Sequence, residues 1–203
     1  MLSKEYIFDE VTHTHTIGGV VVPGITTLLK PLYNFSNVPA NILSASCAFG
    51  SAVHKTIELY CTDCLDIDAL DQPLVAPLNG FKLFLKEHKF NRDDFICEVS
   101  MCDPSLMVAC IPDLILDGSH IIEIKTRKPN HLTDSIQTVC QEHIWKKNGG
   151  IRTKEYDRRV LYLDCDGSYT YTKVNDKNAN SRFRLLLDHY WNTQTIQSWR
   201  NIK

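Results

Sequence analysis

Much of what usually betrays a protein's business is missing from this chain. No apolar run in the sequence approaches the ~18–20 residues a membrane span requires. The opening, MLSKEYIFDE, lacks the apolar core of a secretion signal. These absences exclude a membrane partner and set the expectation of a reduced, cytoplasmic compartment. Charge of one sign is lacking too: 22 Lys and Arg against 24 Asp and Glu leave a net charge of −2. A passive polycationic coat for nucleic acid is thereby excluded, although an enzyme with a local basic patch is not. There is no GxxxxGK[ST] loop, hence no motor of its own, and no helix-turn-helix, zinc-finger or basic-zipper pattern to read a base sequence. Internal repeats and low-complexity tracts are absent as well.

Cysteine itself is plentiful, but cysteine at metal spacing is not. Of eight cysteines, only Cys61 and Cys64 form a CxxC, and no second CxxC or Cys/His pair follows at zinc spacing. Cys47, Cys97, Cys102, Cys110, Cys140 and Cys165 are scattered, mostly in apolar runs, where a free thiol acts as a small hydrophobe. His13 and His15 in THTHT share a strand face but lack a third ligand, so this segment reads as an exposed hairpin.

What is present is an ordinary globular chain of 203 residues, 43% hydrophobic and 23% charged, enough for one domain with its own core. Residues 5–22 read as two strands, YIFDEV and THTIGGVVV, turning near His13. After Pro23-Gly24, ITTLLKPLY is a short helix or turn. Apolar spacing predicts a helix over Asn41–Tyr60, a polar loop through CTDCLDIDALDQP, and a second amphipathic helix over 78–89. The period then changes. Asp94–Met101, Met107–Leu116 and His120–Lys125 are short β-rich segments separated by the turn dipeptides Asp103-Pro104 and Asp117-Gly118, which predicts an antiparallel meander. A helix over Leu132–Lys147 stops at Asn148-Gly149-Gly150. Strands at 157–164 and 168–174 flank Asp166-Gly167, and Asn180–Trp199 closes the chain as a helix. The expectation is an α/β (α+β) domain: an N-terminal hairpin and extension over 1–38, a core of mixed sheet flanked by helices over 39–175, and a C-terminal helix over 176–203.

The chemistry concentrates in IPDLILDGSHIIEIK. Side chains alternate along a strand, so Glu123 and Lys125 share one face while Ile122 and Ile124 pack the other. A tight turn can bring Asp113 alongside them. Burying two carboxylates and an ammonium costs several kcal/mol unless they are paired or bind a metal, and such a hard-oxygen site suits Mg²⁺ or Mn²⁺. The plain alternative is a salt bridge at a sheet edge, for which EIK alone would suffice.

Pro112-Asp113 followed by Glu123-Ile124-Lys125 resembles the signature of the PD-(D/E)XK nuclease superfamily, and the surroundings look like its RecB-like and lambda-exonuclease branch. His54 in GSAVHKTIELY matches that branch's helical histidine. Gln141 and Trp145 in QEHIW match its helical Gln with an aromatic four residues on; the register Gln137 then Gln141 is the alternative. VPGITTLLKPLYNFS is similar to the opening of small phage-encoded members, so the likeness runs from about Val22 to Leu163. One position departs: Cys110 stands where the branch commonly has Gly, which removes no ligand. The resemblance implies a restriction-endonuclease-like core. It implies Asp113, Glu123, the Ile124 carbonyl and His54 as metal ligands, with Lys125 handling the attacking water and Gln141 orienting the site or touching DNA. Glu58, one turn after His54, joins the metal shell or accepts a bond from His54; Glu98 points into the cleft or to solvent.

For substrate, Arg127 and Lys128 lie just beyond the catalytic strand, with Lys146, Lys147, Arg152, Lys154, Arg158 and Arg159 further on, as a candidate phosphate track. Lys30 with Tyr33 and Phe35 offers a charge and stacking rings. The function expected is a Mg²⁺-dependent DNA exonuclease of phage or mobile-element replication or recombination, in the host cytoplasm, with a homo-oligomer or a recombination partner protein as companions. The competing expectations are a catalytically silent nucleic-acid-binding module and a flap or branch endonuclease.

Overall fold

The computed structural model describes residues 5–116, 118–153 and 155–200, the side chains of 198–200 excepted. Its elements are β1 (Tyr6–Asp9), β2 (Thr14–Ile17), β3 (Val20–Val22), α1 (Ile25–Leu29) running into a 3-10 turn, α2 (Ala40–Cys61), α3 (Gln72–His88), β4 (Phe95–Cys97), β5 (Met101–Asp103), β6 (Val108–Cys110), β7 (Leu114–Leu116), β8 (His120–Lys125), α4 (His131–Lys147), β9 (Asp157–Leu163), β10 (Tyr169–Lys173) and α5 (Ala179–Arg200). The fold is mixed α+β, with a five-stranded sheet in the order β10-β9-β8-β7-β4, a small antiparallel sheet β1-β2-β3, and a separate β5-β6 pair. Within the five-stranded sheet only β8 and β9 are parallel, joined by the crossover helix α4. No helix among the described residues is long and apolar enough to cross a membrane.

Two turns changed the strand count. THTIGGVVV is a hairpin rather than one strand, because Gly18 and Gly19 take φ of 57° and 77°, the left-handed pair that a two-residue turn needs. The first strand is also shorter than expected, and His13 falls in the turn before β2 with φ 53°. The predicted meander is likewise subdivided. Glu98 (φ 49°) ends β4, and the bend over Ile111–Asp113 separates β6 from β7, so β5 and β6 peel away from the main sheet. Asp117 of the predicted Asp117-Gly118 turn lies outside the described residues; Gly118 takes φ 70°. α3 begins six residues earlier than read, with Pro73 in its first turn and Pro77 buried inside it.

The alternation of the strands divides the core into two. Leu114, Ile122, Ile124, Leu161 and Leu163 meet Val53, Ile57, Phe81 and Phe84 of α2 and α3 on one face. Ile115 and Ile121 meet Ile136, Cys140 and Ile144 of α4 and Phe183 of α5 on the other. Each such large side chain removed from water contributes about 1.5–3 kcal/mol, and both faces of β8 are covered. α4 is capped by the Asn130 side chain, which accepts from Thr133 N, and carries Asp134 in its first turn and Lys146 and Lys147 in its last. The helix is thereby held with its first turns beside the C-terminal end of β8.

Candidate active site

The β7–β8 register sets the site. Leu114 pairs with Ile122, so the next step along the antiparallel ladder brings Asp113 level with Glu123. Asp113 Oδ2 accepts a hydrogen bond from Ile124 N at 2.5 Å, pinning its carboxylate to the neighbouring strand. Glu123 points from β8 toward α4 and is 1% exposed. Its Oε1 accepts from Lys125 Nζ at 2.5 Å and from Gln137 Nε2 at 2.6 Å, and its Oε2 accepts from Gln141 Nε2 at 2.6 Å. Both helical registers left open by the sequence, Gln137 and Gln141, therefore reach the same carboxylate, one turn apart on α4.

The opposite wall comes from α2. His54 Nδ1 lies 3.1 Å from Asp113 Oδ1 and 3.6 Å from Glu98 Oε1. Glu98 is placed by a left-handed backbone, uncommon for a residue with a Cβ and concentrated at functional sites. Its N–H donates to Asp113 O at 3.2 Å, locking this turn to the strand that carries Asp113. His54, Glu98 and Asp113 each offer a ligand atom, all within 4.8 Å of one another. They line an inner pocket of about 310 Å³ that also contains Glu123, Lys125 and Gln137. An adjoining outer cleft of about 670 Å³ shares His54, Glu98 and Lys125 with it.

Charge and burial compete at each group. Burial pushes Glu123 up to about 7, with the Asp113 charge adding to the rise and Lys125 opposing it. Burial also raises Glu98, against the pull of His54. For Asp113 burial works upward but is outweighed by His54, Lys125 and the Ile124 N–H, so its carboxyl falls below the usual range. His54 is held well above the ordinary imidazole range: burial disfavours its charge, but Asp113 and Glu98 more than compensate. Lys125 is raised likewise, its burial overcome by Glu123 and Asp113. The site is a compact alternation of acids and bases, and the two carboxylates are pushed apart in proton affinity.

Other residues singled out from the sequence are placed as follows. Ile124 contributes its N–H, to Asp113. Glu58 pairs with Lys55 at 2.8 Å on the outer cleft and stands apart from the His54–Glu98–Asp113 group. Cys110 is buried, at 1% exposure, against the inner pocket. Trp145 is a core residue whose Nε1 donates to Tyr156 Oη at 3.1 Å. Arg127 is committed to the fully buried Asp134, which also accepts from Tyr162 Oη at 2.6 Å and Asn130 N at 3.0 Å. Lys128 and Lys30 are exposed, and half-buried Tyr33 stacks on Phe35 at 5.5 Å.

The more distant cations do not join a single track. Lys146 and Arg158 both pair with Glu142, and Arg159 pairs with Asp157. Arg158 and Arg159 lie level with Ile121 and Ile122, three to four residues before Lys125 and so about 10–13 Å back along the sheet. Lys147 and Arg152 are exposed beyond the far end of α4, and Lys154 lies outside the described residues.

Gln137, the alternative register in the sequence, holds Glu123 together with Gln141. One contribution escaped the sequence reading. His15 is buried rather than exposed, at 8%, with its Nδ1 hydrogen-bonded to Tyr6 Oη at 2.9 Å; both His13 and His15 line the inner pocket. No protein-family model matches the chain, and a search of curated proteins finds no match either.

Proposed function

We propose that the chain is a divalent-metal-dependent nuclease of PD-(D/E)XK type on a restriction-endonuclease-like core, a phosphodiester hydrolase that digests DNA from an end. The observation that carries this reading is the convergence, at one end of a mixed sheet, of Asp113 with Glu123 and Lys125 from the adjacent strand, completed by His54 and Glu98. One imidazole and two carboxylates within 4.8 Å form a mixed nitrogen–oxygen donor set, which fits Mn²⁺ as well as Mg²⁺. A bound ion of this kind acidifies a water and offsets charge on the scissile phosphate.

The chain's own groups supply the rest. Asp113, fixed by the Ile124 N–H, and Glu98, fixed by its strained backbone, hold the donor geometry without rearrangement. Lys125, anchored on Glu123, presents an ammonium to the water and to charge growing on the phosphoryl oxygens. Burial makes Glu123 more basic than Asp113, which suits a group that would take a proton from the attacking water. Attack forms the new P–O bond, the bond to the leaving oxygen breaks, and that oxygen is protonated from solvent.

The test is hydrolysis of 5′- and 3′-labelled single- and double-stranded oligonucleotides and of a covalently closed circle, in Mg²⁺ and in Mn²⁺. Nucleotide release from linear DNA, abolished by Asp113→Ala, Glu123→Ala or Lys125→Ala, is the expected result. Cutting of the circle would replace the exonuclease with an endonuclease, and undiminished activity in all three variants would remove the site. One observation favours a second reading, a silent DNA-binding module: both Glu123 oxygens are already occupied by Lys125, Gln137 and Gln141. It predicts DNA binding with no calorimetric signal for either metal.

A further inference from the structure

The N-terminal sheet carries a ladder of rings that ends in the candidate active cleft. Tyr6 and His15 lie 6.1 Å apart at 13°, His15 and Phe8 4.7 Å at 24°, and Phe8 and His13 5.5 Å at 28°. Four near-parallel rings thus stack in series from the sheet outward. The inner end is fixed by the Tyr6–His15 hydrogen bond and by the burial of His15. The outer end, His13, is exposed and held in a left-handed turn, its ring closing the ladder over Phe8. Phe8 and His13 line both the inner pocket and the outer cleft, in company with His54, Glu98 and Lys125.

The charge around the ladder says what kind of contact it offers. From Val11 to Ile57, the stretch that forms the hairpin, α1 and most of α2, the chain has no Asp or Glu, although it has 24 overall. Elsewhere on the outer cleft Glu58 is matched by Lys55 and Glu98 by His54, while Glu10 sits beside His13 open to solvent. The rim is therefore not a cationic clamp for phosphates. It mixes acids with bases and ends in the exposed ring of His13, and every nucleobase has a π-face that such a ring can take.

We infer that the open face of His13, backed by Phe8, forms a stacking platform for an unpaired nucleobase at the mouth of the candidate active site, so that the strand delivered to His54, Asp113 and Glu123 is single-stranded DNA. This rests on the nuclease reading for its direction but on the ring ladder for its substance. A base inside a duplex has both faces covered by its neighbours and offers nothing to the platform; a frayed or single-stranded end does. Base–aromatic stacking of this kind is worth about 1–3 kcal/mol per base, which is roughly five- to hundredfold in affinity.

The test uses the full chain in EDTA, so that binding is read without hydrolysis. Single-stranded oligonucleotides carrying 2-aminopurine at successive positions from either end are compared with identical strands bearing an abasic site there. On binding, wild type quenches the fluorophore at one set of terminal positions and prefers the base-bearing strand about tenfold, with little change in that ratio between low and moderate salt. Phe8→Ala and His13→Asn lose the quench and the preference, and bind abasic strands as wild type does. Asn is chosen because it tolerates the left-handed backbone, and Phe8→Trp restores both signals. Equal losses on base-bearing and abasic strands would show that the ladder merely holds the hairpin and would overturn the platform. Retention of the preference in both variants would overturn it too. Hydrolysis in Mn²⁺ is scored separately: a hydrolysing enzyme with no base preference ends the platform alone, and a base-selective binder that does not hydrolyse ends the nuclease reading alone.

Discussion

Replacing Glu123 with glutamine should make this protein more stable and leave it inactive. Glu123 is the most deeply buried acid of the site, at 1% exposure, and its carboxyl is raised from 4.5 to about 7. The folded state thus binds this proton more tightly than the unfolded chain does, so Glu123 favours folding most below about pH 4.5. That advantage is lost as pH rises through the window from 4.5 to about 7, and it is gone above it. At 1.36 kcal/mol per pH unit, the ionised carboxylate costs the fold about 3 kcal/mol at pH 8.5. Glutamine has the shape of the protonated acid. Its oxygen can keep the Lys125 and Gln137 bonds, and its amide can face Gln141, whose buried Oε1 has no hydrogen-bond partner among the described residues and can turn to accept. Urea unfolding of wild type and Glu123→Gln in EDTA, from pH 4.5 to 8.5, isolates the effect, because groups common to both proteins largely cancel in the difference. The two should be nearly equal at pH 4.5 and diverge to about 3 kcal/mol in favour of the variant by pH 8.5, with m unchanged. In Mn²⁺ the variant should not release nucleotides. A variant equal to or weaker than wild type at pH 8.5 would refute the reasoning, since it would mean that the charged Glu123–Lys125 pair is the form the fold prefers.

Three further outcomes follow from the geometry. Mn²⁺ must displace a proton from His54, which is held above its ordinary range, so calorimetry in two buffers should show proton release and an affinity that climbs from pH 6 to 8; His54→Gln and Glu98→Gln should reduce the Mn²⁺-dependent rise in Tm. Asp134→Ala leaves the buried Tyr162 hydroxyl without its acceptor and removes the partner of Arg127, and should cost about 1–3 kcal/mol in chemical denaturation; a loss of activity in Arg127→Ala that far exceeds its loss of stability would instead assign Arg127 to DNA. Gly150→Ala would place a Cβ 2.5 Å from the Trp145 ring, so the denaturation midpoint should fall by the equivalent of about 1–3 kcal/mol.

The sequence by itself determined most of the helices and strands and set Glu123 and Lys125 on one side of their strand. Period-two alternation in HIIEIK puts Glu123 and Ile124 on opposite faces, whatever the partner strands, and turn chemistry at Asp166-Gly167 specifies a hairpin without help from elsewhere. Tertiary structure decided what those residues meet. The parallel pairing of β9 with β8 and the separation of β5-β6 depend on contacts between segments far apart in the chain, which periodicity does not encode. The sequence left Glu98 pointing into the cleft or to solvent, and a left-handed backbone turned it toward His54, 44 positions earlier in the chain. Arg127 looked free until it was found against buried Asp134. His13 and His15 were an exposed pair in the sequence, and the turn at His13 made them rungs of a ladder. The physical reason is common to all of these: a side chain's type and local period follow from its neighbours along the chain, whereas its charge partner, its burial and its proton affinity follow from which distant element closes over it.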